Sequence, residues 1–149
     1  MKEMFMVSMP AVLIILLMIA SAFDIKNQII PVWISGIGFA IKGMEMALCE
    51  PNALPRHLMF AILLFAVLFT NVLLGGLGGA DSLIGAMCGI YMGIYGVIAV
   101  MLAFLLSMPY AAYLKFHEKE NCEYPFIPYV LIGTCMVFAF SLSKGITHF

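Results

Sequence analysis

The chain contains two aspartates, Asp24 and Asp81, and each stands at the edge of a long apolar segment. A carboxylate in or beside hydrocarbon costs roughly 2.5 to 3.5 kcal/mol on insertion scales, so each one invites a functional question. If two carboxyl groups approach to about 3 Å, they cannot both ionise, and the pair shares one proton. The charged member then accepts a proton from water while the protonated member polarises a carbonyl group. This is the chemistry of peptide hydrolysis without a metal ion or a covalent intermediate.

A purely structural role remains open for each aspartate. From its position alone, Asp24 marks the end of an apolar helix as readily as it marks a catalytic site. Asp81 follows a glycine-rich stretch and can serve as the N-cap of the next helix. The substitution Asp81→Asn would distinguish capping from catalysis, because asparagine caps about as well as aspartate but cannot share a proton as acid and base.

The composition predicts a single membrane-embedded domain over residues 1–149. Hydrophobic residues make up 64% of the chain and charged residues 10%, against about 25% charged residues in ordinary soluble domains. A soluble globule and a disordered chain are thereby excluded. The net charge of −1 leaves no basic surface for nucleic acid. The four cysteines lie far apart with no C-x-x-C pair, so neither a metal site nor a disulfide framework is indicated.

The apolar segments predict an all-α polytopic membrane protein with about six transmembrane helices. The expected spans cover about residues 5–23, 29–48, 58–75, 82–94, 96–114 and 125–143. The fourth span is short and follows a glycine-rich break. The run from Ser82 to Leu114 has 33 residues without a formal charge, which would form a helix of about 50 Å, too long for one span. Two helices fit better, although five spans remain an alternative, and the turn between them is expected at Tyr91, Gly93, Tyr95 and Gly96.

The order of the spans places the two aspartates on one side of the membrane. Asp24 follows one predicted crossing and Asp81 follows three, so both face the same side whatever the later spans do. Lys42 and Glu45 interrupt the second span three residues apart. They can form an ion pair on one helical face near the interface, or extend outward to it. The segment from Cys49 to His57 is expected to be a polar loop between the second and third spans.

Three segments together resemble the motifs of type IV prepilin peptidases. Residues 24–31, D-I-K-N-Q-I-I-P, resemble the D-x-[KR]-x-x-x-I-P segment after the first helix of that family, with Asp24, Lys26 and Pro31 at its fixed positions. Residues 78–81, G-G-A-D, resemble its G-x-G-D motif. Residues 125–128, P-F-I-P, resemble its P-F-x-P segment before the last helix. The three motifs stand in the family's order and run from the first span to the last.

The resemblance implies an aspartic endopeptidase of the plasma membrane whose two catalytic acids, Asp24 and Asp81, face the cytoplasm. Such enzymes remove the short basic leader of prepilins, and they cut after a glycine just before the apolar stem. The expected partners are therefore a membrane-inserted prepilin or pseudopilin and the lipid bilayer, with no cofactor. Supporting roles in the motifs fall to six residues, which are Lys26, Pro31, Gly78, Gly79, Pro125 and Pro128.

The sequence departs from the family pattern in three places. Ala80 replaces the second glycine of G-x-G-D, which is expected to make positive φ angles harder to adopt. Leu83 stands where the family often has lysine. The chain also lacks the cysteine-containing N-terminal segment of the larger members that methylate the mature pilin. It therefore resembles the short form of the peptidase that is associated with tight-adherence pili, and methylation of the mature pilin is not predicted.

Two rival functions stay open at this stage. One is an intramembrane protease of the presenilin kind, which also uses paired aspartates, and Phe23-Asp24 loosely matches its Y-D motif. The other is a small proton-coupled carrier in which Asp24 and Asp81 relay protons. A carrier would leave a co-expressed prepilin unshortened, whereas a peptidase would shorten it.

Overall fold

The computed structural model describes residues 2–27, 29–74, 77–116 and 125–144. Within these ranges the chain forms six helices and no strand, namely α1 (Lys2–Asn27), α2 (Val32–Cys49), α3 (Leu54–Leu73), α4 (Gly79–Met92), α5 (Ile94–Phe116) and α6 (Ile127–Ser143). By length and composition, α1, α2, α3 and α5 can each cross a membrane, and α6 is a shorter apolar helix. The prediction of an all-α polytopic membrane protein is confirmed.

The third helix begins earlier than the sequence suggested. The predicted span started at Leu58, but α3 starts at Leu54, with Pro55 in its first turn. Proline is favoured there because the first N–H groups of a helix have no intrahelical acceptor in any case. The expectation of a polar loop as far as His57 is therefore wrong, since this side chain lies inside α3 and is 2% exposed.

The split of the long uncharged run into two helices is confirmed, but the turn between them is shorter than expected. Helix α4 ends at Met92, α5 begins at Ile94, and Gly93 alone joins them with φ of 56°. Glycine adopts this left-handed conformation without steric cost, so one residue is enough to redirect the chain. The predicted four-residue turn is wrong, because Tyr91 belongs to α4 and Tyr95 and Gly96 belong to α5. The side chain of Tyr91 is buried, at 1% exposure.

Helix α4 is the centre of the bundle. It contacts all five other helices, and of the residues from Asp81 to Met92 only Leu83 is not buried. A Cβ atom added at Gly89 would lie 2.8 Å from the backbone of Ala61, so α3 and α4 approach as closely as small residues permit. With 14 residues, α4 is about 21 Å long, shorter than a hydrocarbon core of about 30 Å.

Short connections set the direction of the first four helices. Residues 28–31, 50–53 and 74–78 join helices that pack against their neighbours in sequence. Helices joined in this way run antiparallel. The end of α1 and the start of α4 therefore lie at the same end of the bundle. The predicted glycine-rich break falls in the last of these connections, of which Gly75 and Gly76 lie outside the described residues.

Candidate active site

Asp24 lies in the last turn of α1 and points into the bundle. Its exposed fraction is 6%, whereas Ile25, Lys26 and Asn27 are exposed. The helix therefore continues past the point where the predicted span ended, and the aspartate is covered by protein. Lys26 stands in the last turn of α1, where a cation interacts favourably with the negative end of the helix dipole.

The carboxylate of Asp24 is bonded to the start of α6. The backbone N–H of Ile127 donates a hydrogen bond to Asp24 Oδ2 at 3.0 Å. The first N–H groups of a helix have no acceptor within the helix, so a carboxylate from another helix satisfies one of them and interacts favourably with the dipole. Asp24 thus joins the first and the third of the sequence motifs directly.

The P-F-I-P segment shapes this N-terminus. Phe126 is the N-cap residue of α6, and Pro128 follows in the first turn. Because Pro128 has no N–H, it leaves one fewer donor to satisfy. The ring of Phe126 is 1% exposed and packs against Phe104 of α5 with centroids 4.9 Å apart. Pro125, half-buried, precedes it. These contacts hold the N–H of Ile127 in place for Asp24.

Asp81 lies in the first turn of α4 and is 8% exposed. Gly78 is the N-cap residue, with φ of −77° and ψ of 149°, and Gly79 begins the helix. The backbone N–H of Gly78 donates to Asp81 Oδ2 at 3.0 Å. The expectation that Asp81 itself could be the N-cap is therefore corrected: it is the third helical residue, and its side chain reaches back to the cap.

Ala80 does not strain the motif. It lies inside α4, and Gly93 is the one glycine with positive φ in the described part of the chain. The expected difficulty with positive φ does not arise at this position, because Ala80 is helical and a helical φ suits alanine at least as well as glycine. Leu83, at the second departure, is half-buried in the same helix.

Pro31 completes the local framework next to α1. It is the N-cap residue of α2, with φ of −64° and ψ of 121°, and its carbonyl accepts the N–H of Ile34 at 3.1 Å. A proline at this position restricts the connection between α1 and α2.

The two aspartates share two features. Both belong to helix ends at the same end of the bundle, and each accepts a backbone N–H.

A second polar cluster lies at the other end of α4, and the sequence did not indicate that His57 belongs to it. His57 Nδ1 lies 3.0 Å from the carbonyl oxygen of Ile90. Lys42 and Glu45 form the ion pair that their spacing predicted, with Nζ and Oε2 2.7 Å apart. Their side chains are 7% and 12% exposed, so the alternative in which they extend outward is wrong.

A sequence signal for the burial of His57 exists. The buried residues of α3 are His57, Ala61, Leu64 and Leu68, and this spacing places all four on one helical face. The signal becomes visible once α3 is taken to begin before His57 rather than after it.

Comparison with known families gives one match. The model described as the type IV leader peptidase family matches residues 11–114, a range that contains both Asp24 and Asp81 and more than half of the chain. The P-F-I-P segment and α6 lie beyond the matched range. Comparisons with curated proteins and with solved structures give no match.

Proposed function

The chain belongs to the type IV leader peptidase family, and we propose that it is a membrane aspartic endopeptidase that removes the short basic leader of prepilins or related pilin-like precursors. The observation that carries the proposal is the family match, since its range includes both aspartates. The proposed catalytic pair is Asp24 and Asp81. The proposed location is the plasma membrane, with the two acids at the cytoplasmic face.

The proposed reaction uses the pair as acid and base together. One carboxylate accepts a proton from water as the water oxygen bonds to the scissile carbonyl carbon. The other carboxyl group, protonated at the start, donates a hydrogen bond to the carbonyl oxygen. The C–N bond then breaks, and the leaving amine takes up the proton that the first carboxylate accepted from water. Burial of Asp24 and Asp81 to 6% and 8% exposure supports this role, because a water-poor surrounding favours a shared proton over two charges.

The backbone hydrogen bonds of the two acids support the same proposal. Asp24 uses Oδ2 for Ile127 and Asp81 uses Oδ2 for Gly78. Each carboxyl is thereby oriented by a backbone group of a helix start, and a positioned acid is what general acid–base catalysis requires.

The membrane simplifies substrate alignment in this proposal. A prepilin is itself inserted, with its apolar stem in lipid and its basic leader at the cytoplasmic surface. Two acids at one end of the bundle therefore meet the cleavage site at a fixed depth. The family membership favours this peptidase over the proton-coupled carrier and over a presenilin-like protease.

The decisive experiment is co-expression with a tagged prepilin, followed by gel mobility of the tagged protein. The wild-type chain is expected to shorten the prepilin, and Asp24→Asn and Asp81→Asn are each expected to stop the shortening. Both asparagine side chains retain an oxygen that accepts the Ile127 or Gly78 N–H, so the local packing is preserved.

Glu50→Gln is the matched control. Glu50 is half-buried and follows α2 at the opposite end of the bundle from the two aspartates, so neutralising it is expected to leave cleavage intact. A prepilin of unchanged size with the wild-type chain would overturn the peptidase. Cleavage that survives either aspartate substitution would overturn the proposed pair.

A further inference from the structure

The far end of α4 carries a backbone carbonyl that has no N–H donor within the helix, and His57 of α3 supplies a donor. Because α4 ends at Met92, the carbonyl of Ile90 is among the last four, which lack an intrahelical N–H. His57 Nδ1 lies 3.0 Å from it in buried surroundings. A carbonyl only accepts, so Nδ1 carries the proton and donates. At membrane depth such a carbonyl is costly unless a protein group satisfies it.

Helix α2 holds the same end of α4 from a second direction. The hydroxyl of Tyr91 donates to the backbone carbonyl of Gly38 at 2.9 Å. Lys42 Nζ lies 5.8 Å from the centroid of the Tyr91 ring, a distance at which a cation is attracted to the ring face. The same ammonium pairs with Glu45. We call Lys42, Glu45, His57 and Tyr91 the anchor cluster.

The turn after α4 makes this attachment rigid. Gly93 is the single residue between α4 and α5, and a Cβ atom added there would lie 3.6 Å from Cε1 of His57. The imidazole ring therefore covers the turn as well as bonding to Ile90. With one connecting residue, α4 cannot slide along its axis or rotate without displacing α5.

We propose that His57, supported by the rest of the anchor cluster, is a positioning residue for Asp81: it fixes the depth and rotation of α4 and so holds the carboxyl at the other end of that helix in place. Asp81 and Ile90 lie on one continuous helix, and nine residues correspond to about 14 Å of rigid rod. A displacement at one end is therefore transmitted to the other. The expected effect on the cleavage rate rests on the proposed peptidase function. The expected effect on the position of α4 does not depend on that function.

Two substitutions separate the hydrogen bond from the volume of the side chain. His57→Leu fills the space without a donor, whereas His57→Asn places an amide nitrogen close to the position of Nδ1 and restores the donor. In cleavage of a purified prepilin, His57→Leu is expected to lower kcat roughly 10- to 100-fold with little change in KM, because a displaced catalytic group costs rate rather than binding. His57→Asn is expected to recover most of that loss.

A distance measurement tests the position of α4 without any substrate. Gly36 on α2 and Gly79 at the start of α4 both have open space at their Cβ positions. Gly36→Cys and Gly79→Cys, in a background without the four native cysteines, therefore accept spin labels for distance measurement by electron paramagnetic resonance. His57→Leu is expected to shift or broaden the distance distribution, and His57→Asn to retain it.

The two measurements give distinct outcomes. An unchanged distance distribution in His57→Leu overturns the proposal, whatever the cleavage assay gives. A changed distribution with unchanged kcat also overturns it, because α4 would then move without consequence for Asp81. Equal losses of kcat in the leucine and asparagine variants would assign His57 to packing alone and overturn the proposal. If the distribution changes but the wild-type chain does not cut prepilin, the anchoring of α4 stands and the proposed function falls.

Discussion

At the start of α4 the carboxylate of Asp81 accepts a hydrogen bond from the N–H of Gly78, whereas at its end the imidazole of His57 donates one to the carbonyl of Ile90. The same rule governs both ends, because a helix start lacks acceptors and a helix end lacks donors. The chemical outcomes differ. The start of α4 is satisfied by an acid, a group that can exchange a proton, and the end by an imidazole donor embedded among packed side chains.

The two ends of α4 also differ in how closely they are packed. A Cβ atom at Gly79 would meet nothing within 4 Å, whereas one at Gly89 would lie 2.8 Å from the backbone of Ala61. The start of α4 therefore has open space at Gly79, whereas its second half is enclosed by α3. Under the proposed function, the start of α4 would carry the chemistry, and its end, held by His57, Tyr91 and Lys42, attaches the helix to α2 and α3.

The largest expected effect sharpens the chemical side of this comparison. Asp81→Asn and Asp81→Ala are both expected to lower the cleavage rate at least about 100-fold, since each removes an acid–base group. The two variants are expected to differ in stability, because alanine also removes the acceptor for Gly78 N–H, a loss of about 1 kcal/mol. Initial cleavage rates and thermal unfolding in detergent measure the two effects separately. If Asp81→Asn cut prepilin at the wild-type rate, Asp81 would serve α4 only as a capping group.

The next effect concerns the ion pair at the attachment end. Lys42→Met is expected to lower the free energy of unfolding by about 3 kcal/mol, because it leaves the carboxylate of Glu45 buried without its partner. Replacing both residues, as Lys42→Met with Glu45→Leu, is expected to recover most of this loss, since an apolar pair of similar volume is tolerated.

Denaturant-induced unfolding in detergent micelles measures both variants, with Lys144→Met as the control. Lys144 is exposed at the end of α6, and its ammonium lies 5.8 Å from the centroid of the Phe140 ring, so its removal is expected to lower the free energy of unfolding by no more than about 1 kcal/mol. Equal stability of Lys42→Met and the wild-type chain would remove the ion pair from the attachment end.

The features of α4 and its neighbours that have a local sequence signal could be predicted, and those that depend on contacts between distant residues could not. Six apolar segments, the break before Asp81 and the pairing of Lys42 with Glu45 follow from local composition and spacing. The start of α3 was missed because Pro55 and Arg56 are typical of loops, although proline also suits the first turn of a helix. The contact between Asp24 and Ile127, 103 residues apart, has no local signal, since it depends on how α1 packs against α6.

A smaller effect tests the difference in packing along α4. Gly89→Ala is expected to lower the free energy of unfolding by about 2 kcal/mol, because its methyl group would push against the backbone of Ala61. Gly79→Ala, with open space in the same helix, is expected to be neutral or slightly stabilising, since alanine favours helix. Thermal unfolding of the two variants in one detergent gives the difference directly. Equal effects would remove the contrast between the open first residue of α4 and its enclosed second half.

The smallest expected effect isolates one hydrogen bond of the anchor cluster. Tyr91→Phe removes the hydroxyl that donates to Gly38 and keeps the ring under Lys42, so a loss of about 1 kcal/mol is expected. Tyr110→Phe is the control, because Tyr110 is exposed on α5 and its hydroxyl is expected to contribute little. Unfolding of both variants, compared with the wild-type chain, measures the difference. If Tyr91→Phe were as stable as Tyr110→Phe, α2 would hold α4 through Lys42 and close packing rather than through the hydroxyl, and the attachment end would depend on His57 for its one directional bond.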